Sequence, residues 1–303
     1  MNPLTKSVST EPNPGARISE ADRAFCQAHQ RAYDTARKSL QEFESFWKGL
    51  QLQEQEALAP YADDDIPPES YLVLYGAIQF TWKDVRRLRR SLHEIFIYNL
   101  VTYFNMAYHL SIRTCTMEEN LLPNSPSPKN SAYDPEETEE DAVLESLSLH
   151  YTDILEQLFL QTGGRDLAEA AVIELKGKCR LAAWNSDNGS AEFKLKKYIL
   201  QLRCGCNYQD YYPVFPTWEL YQETLDILTG LAYFEAGSFS GFPDCLNQAI
   251  QHKGFYQSDF TFTDCHKVHS IKLYKNHRTD IIFYTEEHAV KFVEEYLGTL
   301  PPC

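Results

Sequence analysis

The sequence predicts a mainly α, α+β fold: an N-terminal helical bundle or hairpin, then a C-terminal domain in which helices pack a small antiparallel sheet. Apolar residues recur at helical spacing through the N-terminal third. A Pro-, Ser- and acid-rich stretch then interrupts all periodicity. Beyond Ala191, alternating apolar and polar residues appear between helical patterns. The chain has 303 residues, 43% of them hydrophobic, enough to bury a core without metal or disulfide.

Residues 1–17 are expected as a frayed tail. Ser19 is an N-cap with Glu20 and Asp22 in the first turn. Phe25, Ala28, Ala32, Ala36, Leu40, Phe43, Trp47 and Leu50 then line one long amphipathic helix, whose apolar face suits either an intramolecular bundle or a homodimer. Pro60 and the run DDDIPP end it. A second helix is expected from Glu69 to Gln79. A third starts at Thr81, with Asp84 in capping-box position, and carries Trp82, Val85, Leu88, Leu92, Ile95, Phe96, Leu100 and Tyr103. Together these form a helical domain, 18–117.

Residues 118–140 read as an acidic Pro/Ser-rich linker. Between Glu118 and Glu145 lie nine acids (Glu118, Glu119, Asp134, Glu136, Glu137, Glu139, Glu140, Asp141 and Glu145) against Lys129, about half of the net charge of -15. An α+β domain follows over 141–303. It begins with a helix from Ala142 to Leu160, a TGG break and a short helix capped by Asp166 that reaches Lys176. FKLKKYILQLRC reads as a strand and NYQDYYPVFPT as irregular or edge-like. After Thr217 a helix runs through Leu220, Leu225, Leu228, Leu231 and Phe234 to Gly237. A loop with Gly241 and Pro243, a short helix and the strand-like DFTFT come next.

The last stretch, HSIKLYKNHRTDIIFYTEEHAVKFVEEYL, reads as strand, turn, strand, helix. Ile271 and Leu273, then Ile281 and Phe283, alternate with their neighbours. Asn276 stands where a tight turn needs positive φ. Thr285 caps a helix whose apolar face is Ala289, Val290, Phe292, Val293, Tyr296 and Leu297. His277 and His288 fall outside the apolar pattern and read as surface residues.

No apolar run is long enough to span a bilayer, and the N-terminus lacks a secretory core. A cytoplasmic protein with free thiols and no membrane partner is expected. Neither Gly-rich phosphate loop is present, and SFSGFPDC around Ser240 has the wrong spacing for a nucleophile elbow. No cofactor is implied. Cys204, Cys206, Cys265, His266 and His269 are the zinc candidates, but C-x-C in an extended strand lacks the turn that cups an ion. No metal is therefore assigned. The most specific signal is TWKDVRRLRRSLHEIF, where Lys83, Arg86, Arg87 and Arg90 share a helix face, with Arg89 at its margin and Val85, Leu88 and Leu92 turned to a core. Such a stripe serves as a solvated face, docks an acidic partner or the acidic segment, or engages a nucleic-acid backbone.

LYQETLDILTGLAYFEAG (Leu220 to Gly237) and SIKLYKNHRTDIIFYTEEHAVKFVEEYL resemble a bacterial domain family of unknown function. It occurs on mobile genetic elements, sometimes beside DNA-methyltransferase domains. The likeness spans about Ile154 to Leu297, with His277 where the family pattern implies glycine. It implies a bacterial or phage setting and transfers no catalytic residue.

The expectation is a non-catalytic accessory protein that engages nucleic-acid backbone or an acidic protein through the basic helix. One alternative is an enzyme acting on nucleic acid or nucleotide, with Asp264, His266, His269 and Asp280 as its site. The other is an acidic DNA mimic or counter-defence protein.

Overall fold

The computed structural model describes residues 14–61, 73, 82–123, 139–184, 190–209 and 218–298. The expected helix from Glu69 to Gln79, the linker residues 124–138 and most of the tail lie outside these. The fold is α+β and mainly α, and the chain divides into two compact units, 1–107 with 111–166, and 108–110 with 167–303. Residues 141–166, expected with the C-terminal domain, cluster with the first unit.

In the first unit α1 (Glu20–Leu58) starts at Ser19, whose hydroxyl accepts the Asp22 N–H at 3.1 Å while the Asp22 carboxylate accepts the Ser19 N–H at 3.2 Å. Two of the four orphan donors at the helix start are thereby met. Its partner is α2 (Trp82–Tyr108). Phe25 stacks on Tyr103, Tyr33 on Phe96, and Glu44 pairs with Arg89, so rising numbers on α1 meet falling numbers on α2. The pair is an antiparallel helical hairpin.

Two helices, α4 (Glu139–Ser146) and α5 (Tyr151–Gln161), replace the single helix expected from Ala142 to Leu160. Two causes act together: His150 caps α5, its N–H bonding Asp153 at 2.8 Å, and the chain between the helices is fastened to the distant α1 by Gln30 and Tyr33. Before α4 lies the short α3 (Thr114–Leu121). Pro14 to Arg17, expected in the tail, are held, with the Arg17 guanidinium 3.8 Å from the Phe159 ring centre.

The second unit opens with α6 (Leu167–Ala183), which runs well beyond Lys176. The stretch read as one strand is a hairpin, β1 (Phe193–Lys196) and β2 (Ile199–Leu202), because Lys197 takes φ 53° and turns the chain back. Next come β3 (Cys206–Tyr208) and β4 (Trp218–Leu220), then α7 (Gln222–Ala236), which ends at Gly237 with φ 73°. Leu220 was expected inside that helix. It lies instead in a strand that β3 and β5 flank.

The chain continues through α8 (Asp244–His252), β5 (Gly254–Phe255), β6 (Asp259–Thr261), β7 (Val268–Leu273) and β8 (Thr279–Phe283). It closes with α9 (Glu286–Phe292) and one π turn to Leu297. The five-stranded sheet has the order β1-β2-β8-β7-β6 and the smaller one β3-β4-β5, all pairs antiparallel. Leu200, Ile271, Ile281 and Phe283 of the sheet meet Leu228, Leu231 and Phe292 of the helices in one buried core.

At the β7–β8 turn the positive φ falls on His277 (68°), not on Asn276. Its carbonyl accepts the N–H of Gly205 at 2.7 Å and that of Cys206 at 3.2 Å, so this turn anchors the entry to β3. Val290, expected on the apolar face of α9, is exposed.

Candidate functional site

The basic helix is built differently from its linear pattern. Leu88, expected inside, is 41% exposed, while Arg89 is 6% exposed and His93 is buried beside it. The buried face of α2 therefore runs through Val85, Arg89, His93 and Phe96. Arg89 tolerates this because Glu44 on α1 receives it bidentately, at 2.9 and 2.6 Å, with Glu145 of α4 a further 3.5 Å contact. Arg90 is committed to Glu94 at 2.8 Å and to the Pro123 carbonyl at 3.0 Å. Arg87 remains exposed, 3.6 Å from Asp84. The side chains of Lys83 and Arg86 lie outside the described set.

Beside Arg89, the His93 ring takes the Tyr33 hydroxyl at 2.8 Å and the Leu144 carbonyl at 3.3 Å. Burial holds its pKa below the ordinary histidine value. This polar cluster is the internal seam of the first unit.

The other candidate constellations separate. Cys206 points its thiol at the carbonyls of Tyr274, His277 and Arg278, at 3.7 to 3.8 Å, while Cys204 is exposed. Gly205 between them lies in the bend that joins β2 to β3, so close to Thr279 that an added Cβ would clash with it. Of the four residues suggested for an enzyme, Asp264 engages Cys245, and the His266 main chain engages Glu235. His269 bonds Ser270 at 3.0 Å and packs edge-on to Tyr284. Asp280 is buried among Gln201, Tyr274 and Arg278, the last at 3.1 Å. Each is held by its own neighbours, so they form no common centre.

What the second unit does assemble is a cavity of about 600 Å³ between α8 and the chain of β5 and β6. Its walls are Ala249, Phe255, Tyr256 and Phe260, with Cys245, Gln248, His252 and Gln257 as polar members. Gln248 and His252 are one helical turn apart on α8, which is why both reach the same hollow. Cys245 joins this wall to a second feature. It stands in the first turn of α8, and its thiol donates to Asp264 Oδ1 while its N–H donates to Oδ2 at 3.2 Å. Cys265 is buried next to both.

The Asp264–Cys265 turn is set from the other side by Glu235 at the end of α7, whose carboxylate accepts the N–H groups of His266, Lys267 and Val268. Burial pushes the Cys265 thiol well up, and the charges of Cys245, Glu235 and Asp264 add to it. Cys245 is raised by burial and then by Asp264. For Asp264 burial acts upward, but the hydrogen bonds from Cys245 outweigh it and hold the carboxyl below its usual value. Sequence spacing did not single out Cys245. The only linear sign is the D-C repeated at Asp244–Cys245 and Asp264–Cys265.

No helix among the described residues is long and apolar enough to cross a membrane. Comparison with protein-family models, with curated proteins and with solved structures finds no match.

Proposed function

We propose that this is a non-catalytic binding protein whose second unit takes a small molecule with a flat apolar body and a few hydrogen-bonding groups. One observation carries this reading: the cavity of about 600 Å³ walled by Phe255, Tyr256 and Phe260 and fringed by Gln248, His252 and Gln257. Its size and its mix of aromatic wall and sparse polar groups suit a drug-sized ligand. Cys245 in its wall favours binding over acyl transfer, since a nucleophilic thiol needs a lowered pKa and this one is raised.

The test is ligand-observed NMR with a library of aromatic fragments on the full chain. Fragments should bind the native protein and lose binding in Gln248→Trp, which fills the hollow from an exposed position on α8. Equal binding to that variant, or none to the native chain, would sink the proposal.

A second reading follows from the exposed Arg87 on α2: electrostatic engagement of nucleic-acid backbone or an acidic protein. The mobile-element setting comes from the sequence resemblance alone. The contact of Arg89 with Glu145 shows the same helix serving an acid of its own chain, the use that competes with an outside partner.

A further inference from the structure

The chemistry of the Cys245–Asp264–Cys265 corner goes beyond ligand binding in the cavity and stands independently of it. We propose that these three side chains hold one divalent metal ion of the zinc class, through two thiolates and one carboxylate.

The donor atoms of the three residues lie within 4.8 Å of one another, and among the described residues they are the one such group of three or more His, Cys, Asp or Glu. Tetrahedral zinc needs neighbouring sulfur and oxygen ligands about 3.5 to 3.8 Å apart, from bond lengths of roughly 2.3 and 2.0 Å. Closing the group therefore asks only for side-chain adjustment.

The carboxylate is already oriented. Its Oδ2 is held by the Cys245 N–H, which leaves Oδ1 directed at the Cys245 sulfur, the kind of outer hydrogen bond that aims a metal ligand. The supports on both sides are rigid elements, α8 beneath Cys245 and Glu235 of α7 clamping the turn after Cys265.

The electrostatics point the same way. Asp264 and Glu235 bear on Cys265, and Asp264 bears on Cys245. Lys267, beside the turn, spends its ammonium on the carbonyls of Phe234 and Glu235. A divalent ion would expel both thiol protons and leave two thiolates, one carboxylate and a net charge of minus one. Three protein ligands leave a tetrahedral ion one further position, which water fills. A soft or borderline metal is favoured over magnesium or calcium, because two of the three donors are sulfur.

The experiment uses the full chain, purified under a phosphine reductant, stripped with chelator and titrated with Co²⁺. One equivalent should bring up the near-ultraviolet thiolate-to-cobalt charge-transfer band with tetrahedral d–d absorption, and Zn²⁺ should abolish both by displacement. Cys245→Ser should lose the band and Cys204→Ser, outside the group, should keep it. On the native chain, Zn²⁺ should slow alkylation of Cys245 about tenfold once its free concentration is about ten times Kd, because only the uncoordinated fraction of the thiol then reacts. This arm decides the matter if a cysteine variant fails to fold. No band in the reduced protein, a band that survives Cys245→Ser, or an unchanged alkylation rate overturns the proposal. So does recovery of a Cys245–Cys265 disulfide with no metal uptake after reduction. Fragment binding and the cobalt spectrum are separate readouts, so failure of one leaves the other standing.

Discussion

Arg89 is the residue on which the first unit turns. A charged side chain 6% exposed is tolerated because Glu44 answers it with two hydrogen bonds. Such a pair contributes little against a well-packed apolar substitute, but breaking one half strands a buried charge. Arg89→Ala should therefore destabilise the unit by about 3–5 kcal/mol in urea unfolding, and Arg89→Met with Glu44→Leu should recover most of the loss. A single-variant effect below about 1 kcal/mol would mean that the pair behaves as an ordinary surface ion pair. Lys83, Arg86, Arg87, Arg89 and Arg90 were readable as cations of one helix. Which of them faced inward was not, because their partners Glu44, Glu94 and Glu145 are placed by other turns and other helices.

At the scale of elements, the most legible features were those set by neighbours in sequence. Ser19 and Thr285 cap helices, Gly237 ends α7 with a left-handed residue, and the alternation of Ile271, Leu273, Ile281 and Phe283 gives two paired strands. Where the reading slipped, a non-local contact had intervened. Trp218 to Leu220 carry helix-compatible residues but gain ladder hydrogen bonds from β3 and β5. His277 accepts a positive φ because its carbonyl and ring are both used, the ring on the Cys206 carbonyl at 3.1 Å. Element packing sets its own test at Gly230, where α7 crosses α6: an added Cβ would run into Cys179 Sγ and lie 3.4 Å from Tyr296. Gly230→Ala should cost about 1–3 kcal/mol by overpacking, partly restored by Cys179→Ala. A neutral result in thermal unfolding would mean that the helices separate more easily than their fit implies.

For the whole molecule, the charge of -15 and the intramolecular use of Arg89 and Arg90 limit what α2 offers a polyanion. At most Lys83, Arg86 and Arg87 remain for phosphates. Any DNA or RNA binding through this helix should then show a log–log salt slope no steeper than about -2.7, falling by about 0.9 in Arg87→Glu. A slope of about -3.6 or beyond that collapses when α2 is neutralised would require Arg89 or Arg90 to leave its partner.

By itself the sequence determined the α+β class, the long capped first helix, the closing hairpin and the acidic stretch, since periodicity, caps and turn residues act within a few positions. The tertiary structure alone decided the inward turn of Arg89, the separate settings of the residues weighed for zinc and for an alternative catalytic site, and the meeting of Cys245 with Asp264 and Cys265. Those outcomes depend on side chains that chain topology brings together across tens of residues, where no local spacing records the encounter.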